Sequence, residues 1–95
     1  MESTQTSTEF GREIAVRETH MDGVHITYTL FESVGQIDGM HIYSIRLETR
    51  SKYGAEDASA YDVSRNRGNA MQLLEALADG SVTSCTLYDV LEELL

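Results

Sequence analysis

The chain has 95 residues, of which 41% are hydrophobic and 24% charged, and its formal net charge is −9. This length allows a single domain with one modest core, and the composition is that of a folded globular protein. The negative charge disfavours nucleic acid as a partner, because nonspecific binding depends on Lys and Arg displacing counterions from phosphates. No apolar run approaches the ~20 residues of a bilayer span, so we expect no membrane partner either.

The N-terminal segment MESTQTSTEF lacks the basic start and apolar stretch of a signal peptide. Cys85 is the only cysteine, so the chain cannot form an internal disulfide. Both features predict a protein of the cytoplasm, and the net charge makes it an acidic one. Residues 1–9 are rich in Ser, Thr and Gln and predict a flexible tail, and residues 10–95 are expected to form the single domain.

Apolar residues alternate with polar ones in the first two thirds of the chain, which is the period of half-buried strands. Three strands are predicted around residues 14–16, 24–30 and 43–47, and a shorter one around 61–63. The pattern favours an antiparallel meander of three to four strands.

The period then changes to that of an amphipathic helix over residues 67–79, with Ser64 or Asn66 as the N-cap and Gly80 as a left-handed C-terminal residue. A second helix is predicted within residues 83–95, with Thr83 or Ser84 as its cap. Strands first and helices last predict an α+β fold, in which two C-terminal helices pack on one face of the sheet.

The segments DGVHI (22–26) and DGMHI (38–42) repeat one pattern, in which Asp-Gly precedes an apolar run and signals a hairpin turn. We interpret both as the same turn leading into a strand. For the first, the apolar alternation favours a three-residue loop that pairs Ile14 with Leu30 and Val16 with Tyr28. The two-residue turn would pair Val16 with Thr29 and place apolar positions on different faces.

The favoured pairing also bears on the three histidines, because a metal site needs side chains that converge on one point. It places His20 on the face of Val16 and His25 on the face of Thr27, and His41 far along the sheet. We therefore predict no metal site. No catalytic group and no cofactor is predicted either, because the sequence shows no catalytic constellation or cofactor motif.

Residues 64–70 read SRNRGNA and stand at the start of the first predicted helix. Helix N-termini attract anions through their free N–H groups, and arginines strengthen such sites. The segment lacks the spacing of a P-loop, and its arginines could instead offset neighbouring acids. The possible anion site comprises Ser64, Arg65, Arg67 and Gly68.

The last helix ends in acidic residues with no Lys or Arg to balance the helix dipole, so it must be held by burial of its leucine face. That face can pack on the sheet of its own chain or on a protein partner, which could be a second copy. The possible partner-binding residues are Leu87, Tyr88, Leu91 and Leu95.

A further pattern comprises the segment around Tyr53-Gly54, three leucines of the first helix and four residues of the last: Leu73, Leu74, Leu77, Leu87, Asp89, Val90 and Glu92. In this pattern the chain resembles, over roughly residues 24–95, a family of short proteins of unknown function from clostridia and related bacteria. One departure is a proline expected in the first turn of the last helix, where this chain has Ser84 or Cys85. The resemblance implies no activity and assigns no catalytic residue.

The first functional expectation is therefore a small protein-interaction or regulatory module that docks on another protein or on a copy of itself. The alternative is a protein or enzyme that binds a small anion or phosphorylated metabolite at the start of the first helix.

Overall fold

The computed structural model describes residues 11–35, 39–80, 83 and 87–94, except for the side chains of Tyr88 and Leu94. Four strands precede two helices, which confirms the predicted α+β fold. The elements are β1 (Arg12–Met21), β2 (Val24–Val34), β3 (His41–Ser51), β4 (Gly54–Ser64), α1 (Arg67–Asp79) and α2 (Leu87–Leu94).

The strands form one antiparallel sheet in the order β1-β2-β3-β4, so β1 and β4 are its edges. One face carries the core, because the alternate residues of β2 and β3 on that face are apolar and pack against both helices. These core residues include Ile26, Tyr28, Leu30, Ile45, Leu47, Leu73, Leu74, Leu77, Leu87 and Leu91. Both helices therefore lie on the same side of the sheet.

The strands are longer than the helices that cover them. A strand of 10 or 11 residues spans about 33 to 36 Å, whereas the 13 residues of α1 span about 20 Å. The molecule is a flat body of 43 × 39 × 17 Å. No helix of the described part of the chain is long and apolar enough to cross a membrane.

The β1–β2 turn differs from the predicted three-residue loop. Only Asp22 and Gly23 form the turn, with φ of 48° and 80°, and Met21 pairs with Val24. Positive φ at both central residues is typical of a type I′ turn, whose twist matches that of the flanking strands. The Asp-Gly pair therefore favours the two-residue turn more strongly than the apolar alternation favours the longer loop.

The predicted pairing of Ile14 with Leu30 and of Val16 with Tyr28 was consequently wrong. Ala15 pairs with Leu30 and Val16 with Thr29, so Val16 lies on the face away from the helices. A bulge between Glu13 and Ala15 shifts the alternation by one residue. Ile14 thereby still packs against the core.

Arg17 occupies the position opposite Tyr28 that the prediction gave to Val16. It pairs with Tyr28 on the helix-covered face, where its Nε lies 2.6 Å from Oε1 of Glu75 on α1. Sequence alternation alone gives no sign of this contact, because the two residues are far apart in the chain. The ion pair lets a charged residue occupy a position that the pattern assigned to an apolar one.

Helix α1 begins as predicted and ends differently. Asn66 is its N-cap, and its side chain accepts a hydrogen bond from the backbone N–H of Asn69. Gly80 has φ of −84° rather than the expected left-handed conformation, and its N–H donates to the Ala76 carbonyl. The last turn thus closes with an ordinary helical bond, and Gly80 needs no positive φ there.

Candidate functional site

The face of the sheet away from the helices, here called the polar face, carries its side chains in rows across the strands. The row nearest the β1–β2 turn contains His20, His25 and Arg50, which are partners on β1, β2 and β3. The next row contains the acids Glu18, Glu48 and Asp57. A basic row therefore lies beside an acidic row.

His20 and His25 are in direct contact, which corrects the prediction that they diverge. They are opposite residues in the β1–β2 pairing, and their rings stack with centroids 4.3 Å apart and planes 5° apart. His25 Nε2 also lies 2.5 Å from Oε1 of Glu18. His41 pairs with Val34 at the opposite end of β2, so it does not join this cluster.

The stacked geometry does not suit a shared metal ion. A metal binds imidazole nitrogen in the plane of the ring, and two parallel planes have no point in common. Within the described ranges, no group of three or more His, Cys, Asp or Glu side chains could hold a metal ion. The prediction that the histidines share no metal therefore stays a prediction, with ring stacking rather than divergence as its reason.

Two acids of this row, Glu48 and Asp57, share a contact with Arg46 in the next row. Arg46 Nη2 lies 2.8 Å from Oδ2 of Asp57 and 3.8 Å from Oε2 of Glu48. Next to this network, His25, Thr27, Glu48 and Arg50 line a small open cleft of about 220 Å³. The cleft is polar and is smaller than the ~300 Å³ at which ordinary ligand pockets begin.

A second polar cluster surrounds Glu32 at the opposite end of the sheet. Its carboxylate accepts hydrogen bonds from Arg12 Nη2 at 2.8 Å, from Tyr43 Oη at 2.8 Å and from His41 Nδ1 at 3.1 Å. The Glu32 side chain is only 10% exposed. One carboxylate thus joins three strands on the helix-covered side, where it takes the place of an apolar residue.

These contacts perturb two acids in opposite directions. The hydrogen bond from Tyr43, helped by Arg12 and His41, lowers the pKa of Glu32, although burial opposes the shift. The same hydrogen bond, together with burial, raises the pKa of Tyr43. Glu32 is therefore held as an anion and Tyr43 as a neutral donor, which is a stable structural arrangement.

The four residues of the predicted anion site lie together, and two of them, Ser64 and Arg65, have intramolecular partners. Arg65 makes two hydrogen bonds to Asp62, at 2.9 and 3.0 Å, and this contact lowers the pKa of Asp62. Ser64 Oγ donates to the Asn66 carbonyl and accepts from the Asn66 N–H. Arg67 and Gly68 are exposed in the first turn of α1.

The predicted partner-binding leucines lie partly in the core of the chain itself. Leu87 is fully buried and Leu91 is 4% exposed, and both belong to the core beneath the sheet. The side chain of Tyr88 and all of Leu95 lie outside the described residues, as do Ser84 and Cys85. Any partner at this helix would therefore contact the residues around the two buried leucines.

The sequence indicates that the sheet has edge strands that must be covered or paired, but it does not show which edge offers its backbone groups. In a two-residue hairpin the residues beside the turn form a hydrogen-bonded pair, so Met21 and Thr19 direct their backbone groups toward β2. By alternation, Glu18 and His20 direct their N–H and C=O groups outward. No described strand pairs with that side of β1.

The fold and these groups define a small α+β domain whose sheet has one covered face, one polar face and two edges. The chain belongs to a family of unknown function (DUF6514), whose model matches residues 7–95. This match confirms the expectation of an uncharacterised family. Comparisons with curated proteins and with solved structures found no match.

Proposed function

We propose that this protein is a small interaction module that docks by adding a strand of a protein partner to the outer edge of β1. The observation that carries the proposal is the outward row of backbone groups at Glu18 and His20, beside the polar face. Unpaired edge groups are a template for another strand, and strand addition is a common mode of peptide recognition.

The composition of β1 supports this role. Edge strands are commonly protected by short length, by Lys or Pro, by bulges or by inward-pointing charges. β1 has ten residues, REIAVRETHM, without Lys or Pro, and its inward-pointing charge, Arg17, is paired with Glu75 of the same chain. Its bulge lies near the start, between Glu13 and Ala15, so it leaves the segment from Val16 to Met21 regular. Charged residues of both signs line this segment and can select a partner of complementary charge.

A photocrosslinking amino acid at Glu18 tests this docking in the native cells. We expect a discrete adduct from this position and none from Gln72, which is exposed on α1. The mass of the adduct separates another protein from a second copy of this chain. The absence of an adduct at Glu18, or equal labelling at Gln72, would contradict the proposal.

The second candidate function is anion binding at the start of α1, favoured by the exposed guanidinium of Arg67 beside the first helical turn. A thermal-shift screen of phosphorylated metabolites tests it, since a ligand at 100 times its Kd adds about 2.7 kcal/mol of stability. An increase in Tm that is lost in Arg67→Ala would favour this function over docking.

We further infer that the protein works in the cytoplasm of a clostridial or related bacterium. The single cysteine supports a reducing compartment, and the resemblance of residues 24–95 supports the source.

A further inference from the structure

We propose a symmetric dimer in which β1 pairs antiparallel with β1 of the other copy, around a two-fold axis at Thr19. This inference rests on the proposed function and names its partner. The helices of both copies would lie on the same side of a continuous sheet.

The position of the axis follows from charge. A two-fold axis normal to the sheet must be centred on a residue, because only then do paired side chains lie on the same face. An axis at Glu18 would oppose two carboxylates, and one at Arg17 would oppose two guanidinium groups, both of which are unfavourable. An axis at Thr19 sets Glu18 against the partner's His20, and His20 against the partner's Glu18.

The residue at this axis also suits a close approach of the two strands, because Thr19 is small and carries no charge. At the axis the two threonines would form a close pair, with Cα atoms about 4.5 Å apart. Threonines opposed in this way hydrogen-bond across strands.

The same geometry limits the size of the contact. The Val16 carbonyl already accepts a hydrogen bond from Arg17 Nη1 at 2.8 Å, and Asp22 leaves the extended conformation. Pairing is therefore confined to residues 18–20 of each chain, with on the order of four backbone hydrogen bonds. A contact this small forms a weak, reversible dimer.

Space above the edge is compatible with this pairing. The Arg17 and Glu75 side chains, which connect β1 to α1, remain 38% and 53% exposed. The ion pair therefore does not close the region over β1.

A disulfide at the axis tests the pairing residue by residue, in a Cys85→Ser background. Thr19→Cys should form a covalent dimer under mild oxidation, because a Cα separation of about 4.5 Å suits a disulfide. Val16→Cys is the control, since its two copies would be about 20 Å apart. Equal crosslinking of the two variants, or none at Thr19→Cys, overturns the proposal.

Two further variants test the same contact in solution by sedimentation equilibrium. His20→Pro removes an outward N–H and leaves the β1–β2 ladder intact, so it should raise the dimer Kd at least about tenfold, while Ala55→Pro on the opposite edge should not. His20→Glu should also weaken the dimer, and the double variant Glu18→His/His20→Glu should restore it. Circular dichroism confirms that each variant is folded.

The outcomes separate this inference from the proposed function. A wild-type protein that stays monomeric up to about 1 mM overturns the symmetric dimer. A crosslink from Glu18 to a different protein in cells would then still support docking at the edge. Absence of both results would overturn both proposals.

Discussion

His20 and His25 face each other across the two-residue turn, with parallel rings whose centroids are 4.3 Å apart. They form a non-hydrogen-bonded pair, in which opposite side chains of an antiparallel sheet come closest. The contact therefore depends on the turn residues Asp22 and Gly23. A loop one residue longer would place the two rings on opposite faces of the sheet.

Replacing Gly23 with Val should destabilise the fold by more than replacing His25 with Ala. Gly23 has φ of 80°, which a β-branched residue adopts only under strain, so we expect a loss of roughly 2 kcal/mol or more. His25 is partly exposed and makes surface contacts worth about 1 kcal/mol or less. Urea unfolding of both variants checks the order, and equal losses would mean that the positive φ is not required.

Zinc should not raise Tm in a way that depends on both His20 and His25. The stacked rings direct their nitrogens in parallel planes, so one ion cannot bind both without rotation of the rings. Differential scanning fluorimetry with increasing Zn²⁺ tests this for the wild type, His20→Ala and His25→Ala. A saturable increase that both substitutions abolish would show that the rings rotate and chelate.

Replacing Leu91 with Ala should cost roughly 2 to 5 kcal/mol, because the side chain is 4% exposed and lies in the core. Glu92 is exposed on the same helix, and Glu92→Ala should change stability by less than about 0.5 kcal/mol. Denaturant unfolding at two protein concentrations measures both. If the loss of unfolding free energy in Leu91→Ala is larger at the lower protein concentration, part of the Leu91 side chain is buried by association between copies of the chain.

Glu32 should make stability depend on acid pH. Its folded-state pKa is below the usual 4.5, so the unfolded chain binds more protons, and the contribution is present above pH 4.5 and lost as pH falls through the folded value. Glu32→Gln should therefore flatten the pH dependence below about pH 5. Unfolding between pH 3 and 7 checks this, and an unchanged slope would exclude Glu32 as its source.

The fold class and the buried side of α1 could be predicted because each depends on a local period. Leu73, Leu74 and Leu77 recur at helical spacing and are buried. Alternation likewise placed Ile26, Tyr28 and Leu30 on the core face of β2, and all three are fully buried. Strand ends were less accurate, because exposed residues extend every strand without an apolar signal.

The pairing of β1 with β2 could not be read from alternation alone. Ile14 and Val16 suggest a common face, but the bulge separates them, and Arg17 occupies the core side through its contact with Glu75. A bulge and a long-range ion pair leave no periodic trace. The Asp-Gly turn was the better guide, since its backbone geometry is set by two adjacent residues.

The Glu32 cluster left one signal that sequence reasoning overlooked. Glu32 continues the alternation of Tyr28 and Leu30, so a carboxylate falls on the core face of β2. A charge in such a position needs partners, and Arg12, His41 and Tyr43 supply them. The identity of the residues that pair with Glu32 depends on the strand pairing, and the sequence alone did not determine that pairing.

The strands extend well beyond the helix that covers them. We therefore expect the covered middle of the sheet to be locally more stable than its uncovered ends. Amides in the middle of β2 and β3, beneath α1, exchange with solvent only when much of the domain opens. Amides near the β1–β2 and β3–β4 turns lie in parts of the sheet that extend beyond α1. Local opening there should require a lower free energy. The segment around Glu18 and His20 lies in this second region, so the outer edge of β1 can adjust its conformation while the core stays closed.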